Sequence, residues 1–162
     1  MTRPAFHAYI LMASLFCSSS LVAQWISLGP PGPVTALTKA GNVLYAGSVY
    51  GSGVFASTDN GGSWLFRSSG LTNLSVTALT AIGTTVFAGT SGAGVFVSSD
   101  GGSSWNPTSF GLISSDIGTL AAVGTTLFAG PGNFGAFMST DNGVTWMPAG
   151  KGFASGWPLM DA

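Results

Sequence analysis

The chain has 162 residues, of which 46% are hydrophobic and only 6% are charged, with a formal net charge of -1. Soluble domains carry roughly 25% charged residues, so the composition excludes a charge-rich coiled coil, a nucleic-acid-binding protein and a disordered acidic tail. Glycine is abundant, with 25 residues, and glutamate is absent, which favours short strands joined by tight turns.

The first 23 residues have the pattern of a secretory signal peptide. A positive start at Arg3 precedes a mostly apolar stretch at 8–17, and small residues lead to Ala23. We expect cleavage after Ala23 and a secreted, periplasmic or cell-envelope location in a bacterium. The alternatives are a buried N-terminal helix and a lipoprotein anchored at Cys17, the latter disfavoured because bulky Phe16 precedes the cysteine.

Removal of the signal peptide would leave a chain without cysteine, because Cys17 is the only one. An exported protein without disulfides fits a bacterial envelope better than a disulfide-rich secretome. Beyond residue 23 no apolar run reaches the roughly 18 residues that a spanning helix needs. The sequence therefore predicts no membrane span in the mature chain.

Residues 24–29 are predicted to form an isolated outer strand. Trp25 aligns with a tryptophan that recurs further along the chain, but no matching turn motif precedes it. An N-terminal strand of this kind can complete the last unit of a closed ring of repeats.

Three repeats follow, at about 34–69, 75–110 and 116–150. Aspartate, tryptophan and glycine residues each recur at 41-residue intervals, and a fixed period of this length indicates a repeat architecture. The markers are Asp59, Asp100 and Asp141; Trp64, Trp105 and Trp146; and Gly70, Gly111 and Gly152.

Each repeat divides into four strand-sized pieces, which we call strands A to D. In the middle repeat they cover about 75–81, 85–89, 94–98 and 104–108, separated by turn-forming residues. Four antiparallel strands every forty or so residues are typical of a β-propeller blade. The sequence thus predicts an all-β fold, a partial β-propeller with about three four-stranded antiparallel blades.

The turn between strands C and D, here the CD turn, carries a shared motif: Ser-x-Asp-x-Gly-x-Ser/Thr-Trp. Its residues are Ser57, Asp59, Gly61, Ser63 and Trp64; Ser98, Asp100, Gly102, Ser104 and Trp105; and Ser139, Asp141, Gly143, Thr145 and Trp146. The motif resembles the Asp-box, or bacterial neuraminidase repeat, of propellers in sialidases, xyloglucanases, sortilin-type receptors and photosystem II assembly factors.

The motif residues are predicted to be structural. An aspartate in a hairpin turn accepts backbone N–H bonds, glycine permits a positive φ, and the tryptophan begins strand D and packs into the blade. A calcium site needs about six oxygen ligands, whereas each turn offers one carboxylate. We therefore assign no metal site and no cofactor.

The connections B to C and D to A share the opposite face of the predicted blades, because successive strands alternate in direction. The resemblance implies that a ligand binds on this face, where related enzymes have their active sites. The candidate contacts are Tyr50, Phe110, Asp116, Asn133, Phe134, Lys151, Phe153 and Trp157. For most of the aromatic residues, packing between blades or over the core is the alternative.

The sequence lacks the side chains that a sialidase or another glycosidase needs for catalysis. The resemblance implies three arginines, a tyrosine nucleophile and a glutamate for a sialidase, but after residue 23 there is one arginine, Arg67, and no glutamate. A glycosidase needs two carboxylates, and only Asp116 and Asp161 lie outside the CD turns. The single histidine, His7, lies in the predicted signal peptide. We predict no catalytic residues and no enzyme activity, and the arginine-rich patch of photosystem II assembly factors has no counterpart.

The last residues, 157–162, match the start of a further repeat. Propellers need 4 to 8 blades, and six to eight repeats of this length would take roughly 250 to 330 residues. We expect the N-terminal fragment of a longer protein. A symmetric dimer fits less well, because each isolated outer strand would compete with one already present. Exposed blade faces would also favour self-association.

Two functions remain open. The first is an exported, non-catalytic propeller module that serves as a binding or scaffold surface for a protein or a glycan. The alternative is an incomplete part of a glycan-processing hydrolase, sialidase-like or xyloglucanase-like, whose catalytic residues lie in missing blades. Neither function involves nucleic acid, and the ligand stays unidentified.

Overall fold

The computed structural model describes Pro30 and residues 32–150. The predicted signal peptide, the predicted outer strand at 24–29 and the predicted repeat start at 157–162 lie outside the described residues. Within the described part, twelve strands form three four-stranded sheets and no residue is helical.

Each sheet takes its four strands in chain order, and all neighbours are antiparallel. Blade 1 contains β1 (Ala36–Ala40), β2 (Val43–Ser48), β3 (Gly53–Ser57) and β4 (Leu65–Phe66). Blade 2 contains β5 (Val76–Ile82), β6 (Thr85–Thr90), β7 (Gly94–Ser98) and β8 (Asn106–Pro107). Blade 3 contains β9 (Ile117–Val123), β10 (Thr126–Pro131), β11 (Phe137–Ser139) and β12 (Met147–Pro148). The all-β prediction with four-stranded antiparallel blades is confirmed.

The middle strands of blade 2 are buried on both faces, because a blade packs on each side. Val86, Phe87 and Ala88 of β6 have no exposed surface. Side chains alternate across a strand, so Val86 and Ala88 join an apolar cluster with blade 1, whereas Phe87 joins a cluster with blade 3. The continuous apolar runs in the sequence are therefore strands with two packed faces.

Neighbouring blades meet where a glycine in the second strand lets the next blade approach. A Cβ on Gly47 would lie 2.7 Å from Cγ1 of Val76, and a Cβ on Gly89 would lie 2.7 Å from Cγ2 of Ile117. The hydroxyl of Thr35 donates across the first of these joints to the carbonyl of Val76, at 2.9 Å. Both joints thus depend on close backbone approach, which a side chain would prevent.

The outer strands are shorter than predicted. Strand D of the middle repeat was expected at 104–108, whereas β8 covers only Asn106–Pro107. Trp105 precedes the strand and is 2% exposed. It packs in the joint between blades 1 and 2, one residue before the strand that it was predicted to begin.

We expect Gly89→Ala to lower the free energy of unfolding by about 1–3 kcal/mol, the usual range for overpacking a core. The added methyl group would collide with Ile117, a residue with no exposed surface. Urea denaturation measures the change.

Gly118→Ala is the matched control. Gly118 also lies in a strand, it is exposed, and the nearest atom to an added Cβ is 3.5 Å away. This variant should stay within about 0.5 kcal/mol of the parent. Equal losses in the two variants would contradict a joint built on close approach.

Candidate functional site

The B to C loops and the D to A loops lie at one end of the blades, which we call the loop face. The backbone N–H of Gly94 donates to the carbonyl of Ser115 at 2.7 Å, and Ser91 forms an isolated antiparallel bridge with Asp116. In the neighbouring joint, the N–H of Gly53 donates to the carbonyl of Leu74 at 2.9 Å. In blades 1 and 2 the B to C loop is thus fixed to the D to A loop that follows the blade.

The described aromatic candidates for the loop face are exposed. The carbonyl of Phe110 accepts the backbone N–H of Trp146 at 2.8 Å, so Phe110 lies beside the start of the outer strand of blade 3. Tyr50, Phe110 and Phe134 have 80%, 79% and 43% of their surface exposed, and Asp116 and Asn133 are exposed as well. The remaining candidates, Lys151, Phe153 and Trp157, lie outside the described residues.

Two of the candidates border the same turn of blade 3. A Cβ on Gly132 would lie 4.0 Å from the carbonyl oxygen of Asp116 and 4.0 Å from Cδ2 of Phe134. The N–H of Phe134 donates to the carbonyl of Pro131 at 3.1 Å, which closes this turn. A carboxylate-bearing residue and an aromatic residue therefore flank one loop, whereas Tyr50 lies two blades away in blade 1.

The sequence reasoning missed two polar residues of this face. Asn73 accepts from the N–H of Ser75 at 2.8 Å and donates from Nδ2 to the carbonyl of Ser91 at 2.5 Å. The Asn-x-Ser sequence was the available signal, because asparagine commonly bonds to the backbone two residues on. Ser48 is 2% exposed and its hydroxyl has no partner among the described residues, a feature without a local sequence signal.

The CD turns lie at the opposite end of the blades. In the first, the hydroxyl of Ser57 donates to Oδ1 of Asp59 at 2.7 Å and accepts from the N–H of Gly61 at 2.8 Å. Ser63 donates twice to the same carboxylate, from its N–H to Oδ1 at 2.8 Å and from its hydroxyl to Oδ2 at 2.6 Å. Both carboxylate oxygens are thus used inside the turn.

The other two turns repeat these four bonds. They measure 2.8, 2.9, 2.9 and 2.6 Å around Asp100 and 2.7, 2.8, 2.9 and 2.5 Å around Asp141. The residue after each aspartate, namely Asn60, Gly101 or Asn142, has a positive φ between 58° and 74°. Asparagine and glycine tolerate that backbone conformation better than other residues.

These bonds lower the pKa of all three aspartates from 3.8 to about 2. The largest cause is the side-chain hydroxyl of Ser63, Ser104 or Thr145, which stabilises the charged carboxylate. The carboxylates are therefore held ionised by their own turns.

The tryptophan at the end of the turn motif reaches the preceding blade in blades 2 and 3. Nε1 of Trp105 donates to the carbonyl of Arg67 at 2.8 Å, and Nε1 of Trp146 donates to the carbonyl of Thr108 at 2.8 Å. Trp146 is 4% exposed, whereas Trp64 of blade 1 is only partly buried. In blades 2 and 3 the tryptophan therefore joins two blades.

No group of three or more His, Cys, Asp or Glu side chains in the described part of the chain could hold a metal ion. A search of the same residues for a helix long and apolar enough to cross a membrane found none.

Solved structures with the same fold are β-propellers. An ancestral GH74 enzyme is 25% identical with a TM-score of 0.59, and the match covers 76% of this chain and 19% of that one. The computationally designed Ika4 protein is 20% identical with a TM-score of 0.60, covering 74% and 72%. YCF48 from Cyanidioschyzon merolae is 17% identical with a TM-score of 0.57, covering 72% and 38%.

No family model matches the chain, and no curated protein matches it. The chain covers 19% of the GH74 enzyme and 38% of YCF48. The fold and these similarities define the described residues as three blades of a β-propeller.

We expect the melting temperature to fall as the pH drops from 4 to 2. A carboxyl whose pKa is lowered on folding contributes stability above its unfolded value of 3.8, and this is lost as the pH falls through about 2. Asp100→Asn should lower the melting temperature at pH 7 and flatten this acid dependence.

Ser99→Ala, at an exposed position of the same turn, is the control and should keep the slope of the parent. Chelation by EDTA should leave the melting temperature unchanged. A calcium-dependent melting temperature would contradict a purely structural turn.

Proposed function

We propose that the chain is an exported, non-catalytic propeller module of the Asp-box type whose loop face binds a protein or a glycan. On this proposal it is the N-terminal part of a longer protein, and its blades form a scaffold for that face. The observation that carries the proposal is the division of polar and aromatic residues between the two ends of the blades.

The carboxylates of the CD turns are hydrogen-bonded within their own turns. Asp59, Asp100 and Asp141 each accept bonds from two hydroxyls and one backbone N–H of their own turn. Among residues 32–150 this leaves one other carboxylate, that of Asp116. Glycoside hydrolysis needs two carboxyl groups about 5 to 9.5 Å apart, so these blades supply at most one of the pair.

The loop face offers binding surface instead. Tyr50, Phe110 and Phe134 present aromatic surface to solvent. Aromatic rings stack on sugars and anchor protein interfaces, because they bring a large apolar area at a small cost in conformational entropy. Backbone hydrogen bonds between blades fix the loops of Tyr50 and Phe110, and a bond within its own turn fixes that of Phe134, which favours a preformed surface.

The similar structures support both ligand classes. A GH74 enzyme shares the propeller fold at 25% identity, and in another solved structure YCF48, at 17% identity, is bound to D1 peptide. The turn motif supports the Asp-box assignment, because the same four hydrogen bonds recur in three turns.

A hydrolase fragment is the second candidate. The GH74 similarity favours it, and so does the position of Asp116 beside an aromatic loop. On this proposal Asp116 would provide one carboxyl group and blades outside this chain would provide the other.

The test is titration of residues 24–162 on a glycan array and with xyloglucan oligosaccharides. We expect binding without release of reducing ends. Tyr50→Ala and Phe134→Ala should each weaken it roughly tenfold, which corresponds to about 1.4 kcal/mol. Val144→Ala is the control, because Val144 is 63% exposed but lies in a CD turn.

If all three variants bind with the same affinity as the parent, the loop face is not the binding surface. Release of reducing ends that Asp116→Asn abolishes would contradict the non-catalytic proposal and favour the hydrolase.

A further inference from the structure

The outer strand of blade 1 differs from the other two at two adjacent positions. Strand pairing makes the positions equivalent, because Phe66, Pro107 and Pro148 lie opposite Phe55, Phe96 and Phe137. Phe66 therefore stands where blades 2 and 3 have proline. Arg67 stands where they have Thr108 and Ala149.

The backbone of Phe66 points to the outer edge of the sheet, where β4 has no further strand partner among the described residues. The N–H of Arg67 donates to the carbonyl of Val54 at 2.8 Å. In an antiparallel ladder hydrogen-bonded pairs alternate with non-bonded pairs, so the next pair, Phe55 and Phe66, is non-bonded. The N–H and C=O of Phe66 thus face away from β3.

The same geometry holds for the two prolines. The N–H of Thr108 donates to the carbonyl of Val95, and that of Ala149 donates to the carbonyl of Ala136, both at 2.8 Å. Pro107 and Pro148 therefore occupy the outward-facing positions, where they leave the sheet edge without a donor. Proline at an edge is a common protection against pairing with another chain, and blade 1 lacks it.

The side chains of β4 also present an apolar surface. Leu65 and Phe66 are 60% and 58% exposed. The ring of Phe66 rests edge-on against Phe55, with centroids 5.6 Å apart and an interplanar angle of 70°. The exposed ring is thus held by a buried neighbour, since Phe55 is only 8% exposed.

A groove of about 430 Å³ adjoins this strand between blades 1 and 2, lined by Phe66, Arg67, Leu71, Leu74 and Gly102 among others. The carbonyl of Arg67 accepts the indole bond of Trp105, which fixes the base of the arginine side chain. At the matching place of the next joint, Thr108 is buried and its hydroxyl donates to the carbonyl of Gly143. A cation therefore lines the first groove where the second joint has a buried hydroxyl.

We propose that β4 and this groove bind an extended peptide segment of a partner protein. The segment pairs with the outward N–H and C=O of Phe66, places an apolar side chain beside Phe66 on one face of the sheet, and presents a carboxylate on the other face, where Arg67 lies. Strand addition supplies the main-chain bonds, and the groove supplies specificity. A second copy joined through its own β4 is disfavoured, because residues 64–68 contain no carboxylate.

The probe is an array of synthetic eight-residue peptides with alternating valine and threonine, each made with aspartate or asparagine at one terminal position. We expect the best aspartate peptide to bind at least fivefold more tightly than its asparagine partner. Hydrogen exchange at the amide of Phe66 should slow in the complex.

Phe66→Pro is the decisive variant, because it installs the residue that blades 2 and 3 already carry at the same position. It should weaken binding at least tenfold, with only a small fall in melting temperature from the lost ring contact with Phe55. Should this variant fail to fold, Arg67→Gln gives an independent result, namely loss of the aspartate preference and of the salt dependence. Met147→Ala, at a 52% exposed position of β12, is the control and should bind like the parent.

The proposal is overturned if no peptide binds the parent more tightly than Phe66→Pro, or if the exchange rate at Phe66 is unchanged on binding. The proposal is also overturned if the parent forms a dimer and Phe66→Pro dissociates it, because the edge would then bind a second copy of this chain. Loss of peptide binding in Tyr50→Ala or Phe134→Ala would move the peptide to the loop face. Conversely, glycan binding on the loop face can fail while this strand still binds.

Discussion

The indole that crosses each joint is the contact on which the arrangement of the blades depends. A single sheet of this kind cannot bury its own surface, because β6 carries apolar side chains on both faces. Trp105 and Trp146 cover the outer part of the preceding blade and donate to a backbone carbonyl there. Each bond satisfies a carbonyl at a place where burial without a partner would be costly. A blade is therefore completed by its neighbours, and blade 2 packs on both sides.

The CD turns position that indole. Each turn directs the chain back from the third strand so that the tryptophan, five residues after the aspartate, enters the joint. In the second turn the path is fixed by hydrogen bonds from Ser98 and Ser104 to Asp100 and from the N–H of Gly102 to Ser98. By fixing the turns, the ionised carboxylates help to position the tryptophans that pack between neighbouring blades. The polar side chains at this end therefore stabilise the fold. Exposed Tyr50 and Phe134 lie in loops at the other end.

Much of the fold could be predicted because its signals are local and repeated. Turn residues at fixed spacing give four strands, and the predicted third strand at 94–98 matches β7. The outer strand was predicted too long, because Trp105 packs into the joint between blades 1 and 2 and no local pattern reports such a contact. On the loop face, exposure of Tyr50 and Phe110 follows from their loops, whereas the bridge between Ser91 and Asp116 depends on two segments meeting in space. The contrast between Phe66 and its two proline counterparts is visible in the sequence, but its meaning requires the register.

The glycines at Gly47 and Gly89 show that the two joints are copies of one another. Each joint couples only adjacent blades, so the array behaves as a one-dimensional chain of nearest neighbours. Duplication or loss of one blade would create or remove one joint and leave the others chemically unchanged. Such an array can change length during evolution without redesign of its core. Individual blades are then free to diverge at their edges, as blade 1 has at Phe66.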